Sequence, residues 1–102
     1  MQDNDIMYFV IIANRNDKKK YIELLKKYKV FGITSLYANG SYKASYVSKA
    51  LGLNVERKKI LLACLAYHKA CQELIDVLNK EYSFDKLNTG IAYSISLEQI
   101  GY

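Results

Sequence analysis

Apolar residues along the chain follow two periodicities, one typical of strands and one typical of helices. Near-continuous apolar runs occur within residues 6–13 and 57–67, and a third apolar segment covers residues 30–38 and ends at a polar turn. Runs of this kind are typical of strands that are covered on at least one face. From Ile91 to Leu97 apolar residues alternate with small or polar ones, which predicts a closing strand.

Three other segments show helical spacing. Between about residue 16 and Tyr28 one face is apolar and lysines lie opposite, with Asn16 or Asp17 predicted to cap the start. Residues 68–82 repeat this pattern. A third, short helix is predicted over residues 42–52, where Gly52 supplies a C-terminal cap. The apolar faces of the two longer helices consist of Tyr21, Leu24, Leu25 and Tyr28 in the first and Cys71, Leu74, Ile75 and Leu78 in the second.

The order strand, helix, strand, strand, helix, strand predicts an α+β fold of the ferredoxin-like βαββαβ type. Its sheet would have four antiparallel strands, with two helices on one face. A chain of 102 residues favours a single domain covering residues 1–102. The other face of the sheet would be bare, and a chain with ten tyrosines is not expected to leave so much apolar surface in water. We therefore expect oligomerisation through the sheet.

The net charge and the cysteines indicate which partners and which cellular compartment the protein would have. Fifteen basic and ten acidic residues leave a net charge of +5, which favours anionic partners without choosing among them. Cys64 and Cys71 lie in apolar surroundings without a CxxC motif, so buried free thiols in a cytoplasmic protein are predicted. No apolar stretch approaches the roughly 18 residues of a membrane span, so no membrane insertion is expected.

Catalytic and metal-binding patterns are missing from the sequence, and we expect no enzyme and no metal site. His68 is the only histidine; it precedes a predicted helix, where capping or surface exposure is expected rather than a role as a general base. The turn at Asn88, Thr89 and Gly90 is the best candidate for binding, because its glycine permits a tight backbone with N–H groups accessible to an anion.

Several short motifs together resemble one family. They are Gly32-Ile33-Thr34 entering the second strand, a loop with Gly40, Leu51-Gly52-Leu53 before the third strand, and residues 84–95, which include Asn88-Thr89-Gly90. In this order they are similar to the P-II-like (PII-like) nitrogen regulatory proteins, over residues 7–101.

The resemblance implies a homotrimer with the sheets packed inward and with clefts between subunits that bind ATP, ADP, AMP or another small effector. It also implies a signalling role, such as one in nitrogen metabolism, in which the loop between strands two and three docks on an enzyme, a transporter or a regulator. Carried over, this partner-binding loop includes Asn39, Ser41, Tyr42, Lys43 and Tyr46.

The same resemblance assigns ligand-binding positions. Thr34 corresponds to a threonine near the adenine pocket, Gly40 to a glycine at its edge, and Gly90 to the glycine of the phosphate-cradling turn, with Thr89 beside it. The family has a lysine after this glycine, where the present chain has Ile91. Lys86, on the same turn, is the expected substitute, since a lysine acts as a point charge for phosphate.

Two alternatives share the predicted fold. An RNA-binding module would stack bases on aromatic residues of the first and third strands, but the centre of the third strand, residues 60–65, contains none, and no nucleic acid is expected as a partner. A small enzyme would need a constellation of catalytic side chains after the first strand. Asn14-Arg15-Asn16 resembles such a constellation only by coincidence.

Overall fold

The computed structural model describes residues 2–38, 58–86 and 89–97. Within them the predicted order of strands and helices is confirmed. The helix predicted over residues 42–52 lies outside the described residues. The elements are β1 (Ile6–Asn14), a 3-10 turn (Arg15–Asp17), α1 (Lys18–Lys27), β2 (Phe31–Ala38), β3 (Lys59–Tyr67), α2 (His68–Glu81) and β4 (Gly90–Ser96).

The four strands form one antiparallel sheet in the order β2-β3-β1-β4. β1 pairs with β3 from Ile6, opposite Tyr67, to Asn14, opposite Lys59. Its other edge pairs with β4, where Ala13 lies opposite Gly90. This arrangement, with two helices added, is the predicted ferredoxin-like α+β fold.

Both helices cover the same face of the sheet, as predicted. Alternate residues of the two central strands, beginning at Met7 on β1 and at Ile60 on β3, are buried against them. Because side chains alternate between the faces of a strand, these residues form one layer of a continuous core. The helices contribute the buried residues Tyr21, Leu24, Leu25, Cys71, Leu74 and Leu78.

A bulge near the start of β2 changes which residues share a face. Phe31 lies opposite Leu65, whereas Thr34 lies opposite Ala63, so the register shifts between them. Gly32 adopts a φ of +64° at this point, a conformation that glycine reaches without a Cβ clash. The shift leaves Phe31 on the face away from the helices, where its ring lies 6.1 Å from that of Tyr67.

The start of α1 differs from the prediction. Asp17 occupies the N-cap position, but its side chain makes no capping hydrogen bond. Instead, the 3-10 turn precedes the helix, and the side chain of Asn14 accepts a hydrogen bond from the Asn16 N–H at 3.2 Å. Asp17 therefore lies at a predicted N-cap position, but the predicted capping hydrogen bond from its side chain is wrong, because the added turn places the capping side chain, Asn14, at the end of β1.

The face of the sheet away from the helices is largely apolar, and we call it the open face. Its residues include Tyr8, Leu65 and Ile95, which share one row across three strands. Among the described residues, six large apolar side chains on it are exposed in the single chain: Tyr8, Phe31, Leu36, Tyr67, Tyr93 and Ile95. Neither of the two described helices has the length and apolar character needed to cross a membrane.

Candidate functional site

The turn before β4 is held by contacts between Gly90 and Phe84. Gly90 is buried and pairs with Ala13 at the end of β1. A Cβ atom at this position would lie 2.6 Å from Cζ of Phe84, which is closer than carbon atoms approach. Phe84 in turn meets the ring of Tyr21 edge-on, with 5.6 Å between ring centroids. Any larger residue at position 90 would therefore force the Phe84 ring to shift.

The segment after α2 reverses direction in a tight turn. Ser83 has a φ of 60°, the left-handed conformation, and the Phe84 N–H donates to the Leu78 carbonyl at 3.0 Å. The Lys86 N–H donates to the Ser83 carbonyl, also at 3.0 Å. Lys86 is exposed, and Thr89, the residue before Gly90, is half-buried. Residues 87 and 88 of the turn lie outside the described ranges.

A small cavity of about 190 Å³ adjoins Gly90. It is lined mainly by apolar side chains, including Ile75 and Phe84, and Asn79 is the polar residue of its described lining. A cavity of this kind offers no positive charge to a phosphate. The exposed ammonium of Lys86 is the basic group that the described part of this turn provides.

Thr34 lies far from this turn within one chain. It is exposed on the open face of β2, at one edge of the sheet, whereas Gly90 begins β4 at the other edge. Three strand spacings separate the edges, or about 14 Å. One chain therefore does not bring Thr34 and Gly90 together, and a site using both would need two copies.

The predicted loop residues Asn39, Gly40, Ser41, Tyr42, Lys43 and Tyr46 lie outside the described residues. The base of the loop is described, and a group of basic residues surrounds it. Tyr37 near the end of β2 has the Arg15 guanidinium carbon 4.5 Å and the Lys18 ammonium 4.8 Å from its ring centroid. Lys18 also donates a hydrogen bond to the Tyr37 hydroxyl.

Two further lysines lie at the same end of the sheet, and we call the four residues Arg15, Lys18, Lys58 and Lys59 the basic cluster. The Arg15 N–H donates to the Lys58 carbonyl at 3.0 Å, and Lys59 is only 4% exposed. Sequence reasoning missed this cluster, although a signal existed. Antiparallel pairing of the first and third strands brings the end of one to the start of the other, and both ends carry basic residues.

Both cysteines are buried free thiols, as predicted. Burial raises the pKa of Cys64 to about 12, with a smaller contribution from neighbouring Cys71, and burial raises the pKa of Cys71 to about 11. Protonated thiols are poor nucleophiles and poor metal ligands. In the described ranges, no three histidine, cysteine or acidic side chains are grouped as a metal site.

Solved structures share this architecture. A PII-like signalling protein from Thermus thermophilus matches at 21% identity with a TM-score of 0.66, covering 91% of this chain and 89% of that one. CPII from Thiomonas intermedia, bound to ADP, AMP and acetate, matches at 18% identity with a TM-score of 0.69, covering 95% and 89%. CPII bound to ADP, AMP and bicarbonate matches at 16% identity with a TM-score of 0.62, covering 94% of each chain.

No protein-family model matches the chain, and comparison with curated proteins by sequence gives no match. Identities of this size between similar structures establish the fold. The chain therefore has the fold of the PII-like signalling proteins.

Proposed function

We propose that this chain is a divergent PII-like signal-transduction protein, a single-domain regulator that binds an adenine nucleotide and is not an enzyme. The observation that carries the proposal is the fold shared with CPII over about nine-tenths of both chains, since CPII is solved with ADP and AMP bound. The sequence motifs around Thr34 and Gly90 support it independently of the fold.

The regulator is a homotrimer whose open faces pack inward. Leu36 and Ile95 are 61% and 48% exposed in the single chain, at opposite edges of this face. Between them the face remains apolar, with Ile12, Leu61 and Leu65 half-buried. A largely apolar surface of this kind, across all four strands, favours contact with other copies over exposure to water.

Nucleotide binds between copies, where the β4 edge of one protomer meets the β2 edge of the next. This placement is supported by the positions of Thr34 and Gly90 at opposite edges of the sheet. Lys86, in the turn, is close to the phosphates and substitutes for the lysine that Ile91 replaces. The basic cluster adds positive potential at the same end of the sheet as Gly90, because Tyr37 and Gly90 end the same row across the strands.

Bound nucleotide governs the loop that begins after Ala38. This loop, with Gly40 at the edge of the site and with Asn39, Ser41, Tyr42, Lys43 and Tyr46, docks on a target enzyme, transporter or regulator in the cytoplasm. Support comes from the basic cluster, which joins the base of the loop to α1 through the contacts of Lys18 and Arg15 with Tyr37.

Titration calorimetry with ADP, AMP and ATP tests nucleotide binding. Thr34→Val removes one hydroxyl and keeps the side-chain shape, and it should weaken binding about tenfold, as expected for a lost hydrogen bond in a desolvated site. The matched control is Ser35→Ala, since Ser35 is adjacent on β2 and faces the helices. Absence of binding by the wild-type protein, or equal losses in both variants, would contradict the proposed site.

RNA binding is a second candidate because of aromatic residues on the open face. Tyr8 on β1 and Tyr93 on β4 are 38% and 39% exposed, and bases stack on such rings. The third strand presents Leu61, Ala63 and Leu65 to the same face, which gives no central stacking platform. A gel-shift measurement with single-stranded RNA separates the two functions: salt-sensitive binding that Tyr8→Ala abolishes would favour RNA over nucleotide sensing.

A further inference from the structure

A second cavity, a groove that is largely open to solvent, lies at the opposite end of the sheet from Gly90. Its volume is about 580 Å³, within the range of about 300 to 1,000 Å³ that is typical of small-molecule sites. It is bordered by the N-terminal segment, the C-terminal end of α1, the end of β3 and the first turns of α2. The proposed nucleotide site does not include any of its residues.

The distance between the two regions follows from the strand register. Tyr67, which lines the second cavity, pairs with Ile6, whereas Gly90 pairs with Ala13 on the same strand. At about 3.4 Å per residue, positions 6 and 13 lie roughly 24 Å apart. A molecule in this cavity therefore cannot also occupy the turn before β4.

The N-terminal wall of the cavity is fixed by hydrogen bonds. The first two N–H groups of α2 donate to this wall, His68 to the Asp5 carbonyl at 2.8 Å and Lys69 to the Asp3 carbonyl at 3.1 Å. The Gln2 N–H also donates to the Asp5 carboxylate at 3.0 Å.

The α1 wall ends in a Schellman motif. The Lys29 N–H donates to Lys26 and the Val30 N–H to Leu25, with Lys29 at a φ of 59°. Both walls therefore have a defined backbone before any ligand arrives.

The lining combines aromatic surface with charge. Tyr28 and Tyr67 supply rings, and Lys27, Lys29 and Lys69 supply three ammonium groups against the carboxylates of Asp3 and Glu73. In the described part of the chain, none of these five charged side chains forms an ion pair. Three ammonium groups against two carboxylates make the cavity net positive. Because they are not paired with one another, these charges are available to a ligand.

We propose that this cavity binds a small aromatic carboxylate. The ring lies against the tyrosines and the aliphatic lysine stems, which offer apolar surface, and the carboxylate meets the lysine ammonium groups. A purely apolar ligand would leave three ammonium groups without a partner, and a polar anion without a ring would leave the tyrosine surface in contact with water.

Indole-3-propionate is a suitable probe, and 3-methylindole is its matched control without the carboxylate. Binding is followed by amide chemical shifts of the ¹⁵N-labelled full chain. Indole-3-propionate should bind at millimolar concentration or below and shift resonances around Tyr28 and Lys69, and 3-methylindole should bind at least about tenfold more weakly.

Two neighbouring lysines on α1 provide matched variants, since both are exposed and only Lys27 lines the cavity. Lys27→Glu should raise the dissociation constant about tenfold, and Lys26→Glu, with the same change in net charge, should leave it nearly unchanged. The proposal is overturned if the probe does not bind, if both variants weaken it equally, if 3-methylindole binds as tightly, or if the shifts fall only on open-face residues other than Tyr67, which also lines the cavity. Nucleotide titrations are a separate readout, so neither proposal depends on the other.

Discussion

A Cβ atom on Gly90 would meet the ring of Phe84 at 2.6 Å from Cζ and 2.9 Å from Cε2. Phe84 cannot easily move away, because its ring packs edge-on against buried Tyr21. The glycine at the start of β4 is thus explained by packing alone. A role in cradling phosphate would be an additional use of the same residue.

Gly90→Ala should lower the free energy of unfolding by about 1 to 3 kcal/mol, because the added methyl group overpacks this contact. In a Phe84→Leu background the same substitution should cost less, since the shorter side chain leaves room. Urea denaturation of the four proteins gives the coupling between the two positions. Equal losses of stability in both backgrounds would show that the contact with Phe84 does not determine the need for glycine at position 90.

Ser83→Gly should raise the free energy of unfolding by about 1 kcal/mol. Ser83 has a φ of 60°, and a left-handed conformation costs an L-residue with a Cβ atom roughly 1 to 2 kcal/mol. The control is Gln72→Gly, at an exposed position inside α2, which should destabilise by a few tenths of a kcal/mol to about 1 kcal/mol. Thermal and urea unfolding should agree on the two opposite signs, and a destabilised Ser83→Gly would contradict the argument.

The buried thiols should make the folded protein less stable in alkaline solution. Burial raises the pKa values of Cys64 and Cys71 in the folded state above the ordinary value of 9.0. Their contribution to the free energy of unfolding is therefore complete below pH 9 and is lost as the pH rises toward 11 for Cys71 and 12 for Cys64. Within that pH range, each thiol should lower the free energy of unfolding by about 1.4 kcal/mol per pH unit.

Cys64→Ala isolates one of these contributions. Its unfolding free energy should fall less steeply between pH 9 and pH 11 than that of the wild type, by about 1.4 kcal/mol per pH unit. Contributions of all other groups are common to both proteins and cancel in the difference. Parallel slopes would mean that Cys64 is accessible to solvent in the folded protein.

Ile95→Asp should convert the proposed trimer to monomers, because it places a carboxylate on the open face at a position that is 48% exposed in the single chain. Gln72→Glu introduces the same charge on the exposed side of α2, away from the turn before β4, and serves as the control. Sedimentation velocity should show the mass falling only for Ile95→Asp. An unchanged mass would place the contact between copies elsewhere.

The hydrophobic pattern was sufficient to predict the element order, because strand and helix periodicities differ and each run was long. It also identified the buried faces of both helices, including Tyr21 and Cys71. It could not give the capping of α1, since a 3-10 turn between Asn14 and Lys18 leaves no signal in the periodicity. The bulge at Gly32 was equally hidden, because it depends on pairing with β3.

The candidate site could be predicted from the sequence only in part. Motif positions such as Thr34 and Gly90 could be named, but their placement at opposite sheet edges follows only from the strand order. The contacts of Arg15 and Lys18 with Tyr37 join residues about 20 positions apart, which no local pattern reveals. The roles of the loop residues stay predictions.

Native mass spectrometry with ADP and AMP tests the central proposal most directly, because it reports assembly and ligand together. With a chain mass of 11.7 kDa, three copies give about 35 kDa. The proposal predicts this mass with nucleotide retained, and loss of both for Ile95→Asp. A monomer of 11.7 kDa that retains no nucleotide would contradict it.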